Sequence, residues 1–268
     1  MSRSVIVTGA NSGIGLATAR HLSAAGWQVL GVGLGRAPEE SFAFHSVDLT
    51  QPEAAEALAA SVERLDALVN CAGVNLPGVV EGLTVERLRQ QMAVNVEAPL
   101  RLIQACLPRL RAAHGRIVNV SSVMGEVAMP TLGAYSMSKH ALEAMSDALR
   151  LELAGQGVSV CVVQMGAIRT PMTDAMQEAL DHAEAAHAPV VRALYAPLYA
   201  RMRASLAQQA ASAIPPERVA AVIGQALEAR RPRPRYRVGA AAAGLSLMRR
   251  LAPEPIGDII LRRALRLF

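Results

Sequence analysis

Lysine is all but missing from this 268-residue chain. Of its 27 lysine and arginine residues, only Lys139 is a lysine. An arginine-rich sequence that keeps one ammonium raises the question of what a guanidinium could not do at that position. Aromatic residues are also scarce, at 3%, so no stack of Phe, Tyr and Trp is available for holding nucleic-acid bases. There are three cysteines, Cys71, Cys106 and Cys161. They have no metal-ligand spacing and cannot all pair. Buried free thiols in a reducing cytoplasm are the expectation, with no metal centre. No apolar stretch is long and uncharged enough to span a bilayer. The start, MSRSVIVTGA, enters a strand pattern at once and lacks a signal-peptide layout.

What is present is a large apolar fraction, 52%, mostly Ala, Leu and Val. That suits closely packed helices on a sheet. Positive charge is unevenly placed. Residues 230–268 hold ten arginines against Glu254 and Asp258, a net +8, so the rest of the +5 chain carries −3. The basic feature is local and does not suggest a nucleic-acid partner.

Short β-rich runs alternate with helical stretches. The strands read as SVIVTG, WQVLGVG, FAFHSVDL, DALVNCAG, GRIVNVSS, GVSVCVVQMG and RYRVG. Between them lie helices over 13–25, 52–64, 134–154 and 216–229. A further helix starts after a cap at Thr84 and runs from 85 to about 112 with a bend near Pro99. Near-continuous apolar strands imply helices on both faces of a parallel sheet. The prediction is an α/β chain with a single doubly wound domain over 1–268, with about seven strands. Residues 171–214 interrupt the alternation with a helix-prone insertion rich in Met, Leu and Tyr. It follows a strand's carboxyl end, where such folds bind ligands, and reads as a substrate lid. The alternative is an oligomer contact. The tail, about 240–268, is amphipathic and basic. Ile256, Ile259, Ile260, Leu261, Leu265 and Phe268 spread over one side, with Arg262, Arg263 and Arg266 beside them. It would pack on its own domain or on a neighbouring subunit of a homodimer or homotetramer. The other use is peripheral contact with an acidic membrane surface.

In TGANSGIG, Gly9, Gly13 and Gly15 lie between the first strand and the first helix. Glycine permits the tight turn and lets backbone N–H groups approach a pyrophosphate at a helix N-terminus. Tyr135 and Lys139 are four apart on a helix and project from one face. A cation about 4 Å from a phenol is worth on the order of 4 kcal/mol at an effective dielectric near 20. That would lower Tyr135 by up to roughly 3 pKa units before burial takes some back.

In order along residues 4 to about 170, these motifs resemble the short-chain dehydrogenase/reductase family. TGANSGIG resembles its cofactor turn, bringing in Asn11, Ser12 and Ile14 with the three glycines. Asp48 in VDL resembles the acid that meets the adenine amine, with Leu49 beside it. NCAG, with Asn70, Ala72 and Gly73, resembles the NNAG motif, Cys71 replacing the second Asn. MGAIRTPM resembles the PG motif, Met165 replacing Pro, with Gly166, Ile168 and Thr170 toward the nicotinamide. Asn95, Ser122, Tyr135 and Lys139 match the catalytic set. The resemblance implies an NAD(P)(H)-dependent oxidoreductase interconverting an alcohol and a ketone or aldehyde. Tyr135 would be its acid/base, Ser122 would hold the substrate oxygen, and Asn95 a water linked to Lys139. Lys139 would also bond the ribose hydroxyls, where a compact ammonium suits better than a planar fork.

At the end of the second strand, Gly33 stands where NAD-specific proteins carry an acid, and Arg36 is near enough in sequence to reach a 2′-phosphate. NADP(H) is therefore favoured over NAD(H). The lid composition points to a bulky apolar substrate, steroid-like, retinoid-like, lipid or aromatic. A catalytically silent nucleotide-binding sensor of the same fold is the competing reading.

Overall fold

The computed structural model describes residues 2–37 and 39–265, with the backbone alone for Ala241, Arg250 and Ala264. Arg266 and Phe268 lie outside the described residues. Seven parallel strands form one sheet. They are β1 (Ser4–Thr8), β2 (Gln28–Gly33), β3 (Ala43–Ser46), β4 (Ala67–Asn70), β5 (Arg116–Val120), β6 (Ser159–Met165) and β7 (Arg235–Val238). Their order is β3-β2-β1-β4-β5-β6-β7. The winding reverses between β1 and β4, so a crevice opens beyond their carboxyl ends, where ligands of such sheets bind.

Both faces of the sheet are covered. On one, α1 (Gly13–Ala24) and α9 (Pro216–Glu228) pack Leu22, Val219 and Ile223 against Val5, Val7 and Val118. On the other, α2 (Ala54–Ala60) and α4 (Ala98–Ala112) bury Leu58, Leu102, Ile103 and Cys106 against Ile6, Leu68 and Ile117. Burial on both faces explains why the strands read as uninterrupted apolar runs rather than alternating ones.

Two segments depart from expectation. The helix expected over 85 to about 112 is α3 (Val85–Met92) and α4, joined by a π-helical turn over Ala93–Glu97. The irregularity lies just before Pro99, whose missing N–H removes one bond from this otherwise continuous helical stretch. Thr84 caps α3 as read, its side chain accepting from the Arg87 N–H at 3.3 Å. The insertion after β6 forms α6 (Pro171–Asp174), α7 (Met176–Ala185) and α8 (Pro189–Ala211). Its Leu180, Tyr199 and Met202 are buried in a satellite core with Val79, and Met176 is buried too. These side chains hold the insertion together and are not displayed to a ligand; Met172, Val190 and Leu194 are its exposed large apolar residues.

The 20-residue α5 (Gly133–Glu152) carries Tyr135 and Lys139. After β7 the chain forms α10 (Ala240–Leu251) and α11 (Glu254–Ala264). One side of this tail packs inward, through Ala242, Ser246 and Leu265; Ile256, Ile259 and Ile260 face outward. Among the described residues no helix is long and apolar enough to cross a membrane.

Candidate functional site

The crevice at the β1–β4 reversal is floored by the glycine turn. Gly9 has φ +68°, in the left-handed region that favours glycine, and a Cβ there would stand 3.0 Å from the Ala72 Cα. At Gly15 a Cβ would stand 2.1 Å from the Gly9 carbonyl oxygen. The turn therefore closes only with glycine, leaving the α1 N-terminus open to the cleft behind Ser12. From the other side, Thr8 fixes the chain leaving β4. Its Oγ1 accepts from the N–H groups of Cys71 at 2.9 Å and Ala72 at 3.0 Å. Thr8 was not singled out from the sequence; a buried hydroxyl just before the glycine turn was its only signal.

Residues Asn11–Gly15, with Gly9, Gly33, Asp48, Leu49, Ala72, Gly73 and Thr170, line this one cleft. Thr170 caps α6 reciprocally with Thr173. The Asp48 carboxylate accepts from the Thr50 N–H at 2.9 Å and its hydroxyl at 2.7 Å, bonds that hold it below the usual carboxylate range. Six expected cofactor contacts do not line it: Tyr135 and Lys139 belong to a neighbouring group, and four lie elsewhere. Asn70 turns away from the cleft, donating to Asn119 Oδ1 at 2.8 Å, and Asn119 donates to Ser146 at 2.8 Å. Arg36 is fully exposed beside Glu39 at 3.3 Å. Ile168 is buried and bridges to Ile214, and Gly166 faces the first turn of α10.

A second group of polar residues adjoins the cleft at the end of β5. Ser122 caps the single helical turn Val123–Gly125, accepting from the Met124 N–H at 3.2 Å, with its Oγ 3.5 Å from the Met165 carbonyl. Lys139 is buried. Its ammonium donates to the Val120 carbonyl at 2.9 Å and lies 5.6 Å from the Tyr135 ring centre. Asn95 is fixed by the π-helical turn. Its Oδ1 accepts from the Val74 N–H at 2.9 Å, and its Nδ2 donates to Val74 O and Ser138 Oγ, both at 3.0 Å. The side chain is thereby committed to protein groups. A Cβ on Gly73 would stand 3.3 Å from Asn95 Oδ1 and 4.0 Å from Lys139 Nζ, so a bare glycine keeps the space between them clear.

The electrostatics differ in direction from the sequence expectation. Burial pushes the Tyr135 phenol up to about 12, and its bond with Ser122 offsets only part of that. Burial lowers Lys139 to about 8, with Cys71 and Glu143 pulling the other way. The reason is geometric. The phenol is taken out of water, only the Ser122 bond lowers it, and the Lys139 ammonium is spent on the Val120 carbonyl.

The family model for short chain dehydrogenases matches residues 3–181. The chain belongs to that family. It is an oxidoreductase that acts on CH–OH groups with NAD(P) as acceptor. Uncharacterized oxidoreductase YbbO of Escherichia coli is 32% identical over 98% of this short-chain dehydrogenase and 95% of its own length. Mouse retinol dehydrogenase 5 is 33% identical, over 96% and 87%. The NADPH-dependent 3-dehydrocapnine reductase of Ornithobacterium rhinotracheale is 31% identical, over 98% of each chain. Among solved structures, a short-chain dehydrogenase from Streptomyces avermitilis superposes with a TM-score of 0.76 at 29% identity, covering 92% and 91%.

Proposed function

We propose that this chain moves hydride between NADP(H) and a bulky apolar carbonyl or alcohol, with Tyr135 as the acid and base. One observation carries this reading. A phenol, a hydroxyl and the chain's one ammonium converge at the end of β5, beside a glycine-floored cleft whose close approaches leave no room for a Cβ. The residues present fit a dinucleotide. Backbone N–H groups of Asn11–Gly15 would hold its phosphates, Asp48 its adenine amine, and Lys139 the ribose of its nicotinamide half. The nicotinamide, when bound, supplies or accepts the hydride.

The protein's own groups handle the proton and the oxygen. A substrate carbonyl oxygen would accept hydrogen bonds from the Ser122 and Tyr135 hydroxyls, which stabilises charge developing on that oxygen. Tyr135, neutral at physiological pH, gives its proton to that oxygen in reduction and takes it back in oxidation. Lys139 favours the phenolate through its charge, and Asn95 holds the chain after β4 beside it.

Support for NADP(H) is that no acid stands at Gly33 to repel a 2′-phosphate and that the similar 3-dehydrocapnine reductase is named for NADPH. Support for a bulky substrate comes from the apolar surface beside Tyr135 and from the similarity to retinol dehydrogenase 5. The test is absorbance loss of NADPH on mixing with a panel of small, aromatic and polycyclic ketones. Turnover with the larger ketones is expected. NADPH binding without turnover on any ketone would refute the assignment.

A further inference from the structure

The helix after the last strand lies over the proton-handling side of the site. A Cβ on Gly166, in the loop after β6, would stand 4.0 Å from the Ala242 nitrogen in α10's first turn. Ala242 is wholly buried against Val123 and Met124, the two residues that follow Ser122. Leu245, one turn on, joins the same cluster with Met129, Leu132 and Tyr135 itself. The apolar surface next to the phenol thus has two sources: the loop after Ser122, and α10.

A buried polar clamp sets how α10 sits. Ser246 is only 3% exposed, and its hydroxyl donates to the Glu126 carboxylate. Glu126 follows Ser122 by one helical turn and also accepts from Arg237 Nη2 on β7 and Gln164 Nε2 on β6, each at 3.1 Å. Gln164 donates as well to Glu143 on α5 at 2.9 Å, and Arg235 Nε donates to Glu143 at 2.9 Å. The clamp therefore rests on both strands beneath the site and on the helix that carries Tyr135. Leu245 and Ser246 are adjacent and about 100° apart around the helix. Fixing Ser246 fixes the rotation of α10 and so the direction of Leu245. At the far end, Leu265 packs into the insertion's core with Leu180, Tyr199 and Met202.

We propose that α10 is a wall of the substrate site, that Leu245 sets the bulk accepted beside Tyr135, and that Glu126, through Ser246, is a positioning residue for that wall. This rests on the oxidoreductase reading above.

The experiment measures kcat and KM at saturating NADPH for a ladder of ketones, from cyclohexanone to polycyclic ketones. Leu245→Ala should raise kcat/KM for the largest ketones by at least about tenfold and leave cyclohexanone within about twofold, a pocket-volume effect. Leu245→Phe should do the reverse, and it carries the test alone if the alanine variant does not fold. Ser246→Ala should raise KM several-fold with kcat and NADPH affinity nearly unchanged, and Ser246→Thr, which keeps a hydroxyl, should restore it. A purely structural role would lower kcat, NADPH binding and the melting temperature together. Leu245 variants that change all ketones by one common factor overturn the wall, and an unchanged KM in Ser246→Ala overturns the positioning role. A wild-type protein silent with every ketone overturns this proposal and the reading it rests on, a result distinct from the other two.

Discussion

Replacing Lys139 by methionine keeps the length of the side chain and removes its charge. The ammonium lies 5.6 Å from the Tyr135 ring centre. With the ring centre standing for the phenolate's partly delocalised charge, one charge at that separation is worth about 3 kcal/mol at an effective dielectric near 20. That equals about 2 pKa units on the phenol. The whole shift does not appear in the rate. A weaker acid gives up its proton more slowly, while its conjugate base, though rarer, is stronger. With the proton about half transferred, about half the shift is expressed, a loss of about tenfold. Both directions share one transition state and one equilibrium, so at fixed pH carbonyl reduction and alcohol oxidation must fall together. The pH dependence adds a sign. Lys139 is lowered to about 8 by burial, so its charge is present below that pH and lost above it. In wild type, log kcat/KM for alcohol oxidation should climb with pH to about 8 and then bend as the ammonium discharges. In Lys139→Met the bend should vanish and the climb continue toward the raised phenol value. The assay is initial rate against pH in both directions at saturating cofactor, with cofactor affinity measured separately because the proposed ribose contact would also be lost. A loss smaller than about twofold, or a bend near 8 that survives the substitution, would refute this electrostatic role.

Gly15→Ala would drive a methyl to 2.1 Å from the Gly9 carbonyl oxygen, and backbone cannot yield as a side chain can. Overpacking of this kind costs about 1–3 kcal/mol, so NADPH affinity by fluorescence titration should fall at least several-fold; unchanged affinity would show that the turn does not hold the cofactor. Arg36 lies outside the cleft and can act on a 2′-phosphate only through space, so Arg36→Ala should narrow a preference for NADPH over NADH by no more than a few-fold, at low salt and less at high salt, and equal affinities in wild type would remove the basis for that preference. Gly33→Asp should move the ratio toward NADH yet weaken both cofactors, because its Cβ would meet Asn11 Oδ1 at 2.5 Å. Deleting 253–268 removes Leu265 from the insertion's core and should lower the melting temperature, with no binding to anionic vesicles before or after; salt-sensitive, tail-dependent vesicle binding would instead make the outward Ile256, Ile259 and Ile260 a membrane contact.

The fold was readable because its parts agree. Seven apolar runs separated by helical periods admit few arrangements, and the glycine turn marks where the winding begins. Tyr135 and Lys139 were placed together by helical spacing alone. What escaped depends on contacts distant in sequence. The π-helical turn at Ala93–Glu97 differs from an α-helix by a hydrogen-bond span one residue longer, too little for an apolar pattern to register. Asn70 follows a cofactor motif, but its amide is claimed by Asn119 from the neighbouring strand. Arg36 has the right position in sequence and no contact with the cleft, since Glu39 lies beside it on an exposed loop. The apolar residues of the insertion carried no sign of whether they faced a ligand or one another; most face one another. The phenol's direction of shift needed the depth of burial, which spacing does not contain.

The central claim is that Tyr135 moves the proton. It is tested most directly by comparing Tyr135→Phe with wild type in NADPH binding and in NADPH-dependent ketone reduction on the same preparation. The variant should bind NADPH within about twofold of wild type and melt at a similar temperature, because the ring and its packing remain. Its turnover should fall by about a thousandfold, the scale of a lost general acid. Turnover within tenfold of wild type, in a folded variant that binds NADPH normally, would contradict the assignment.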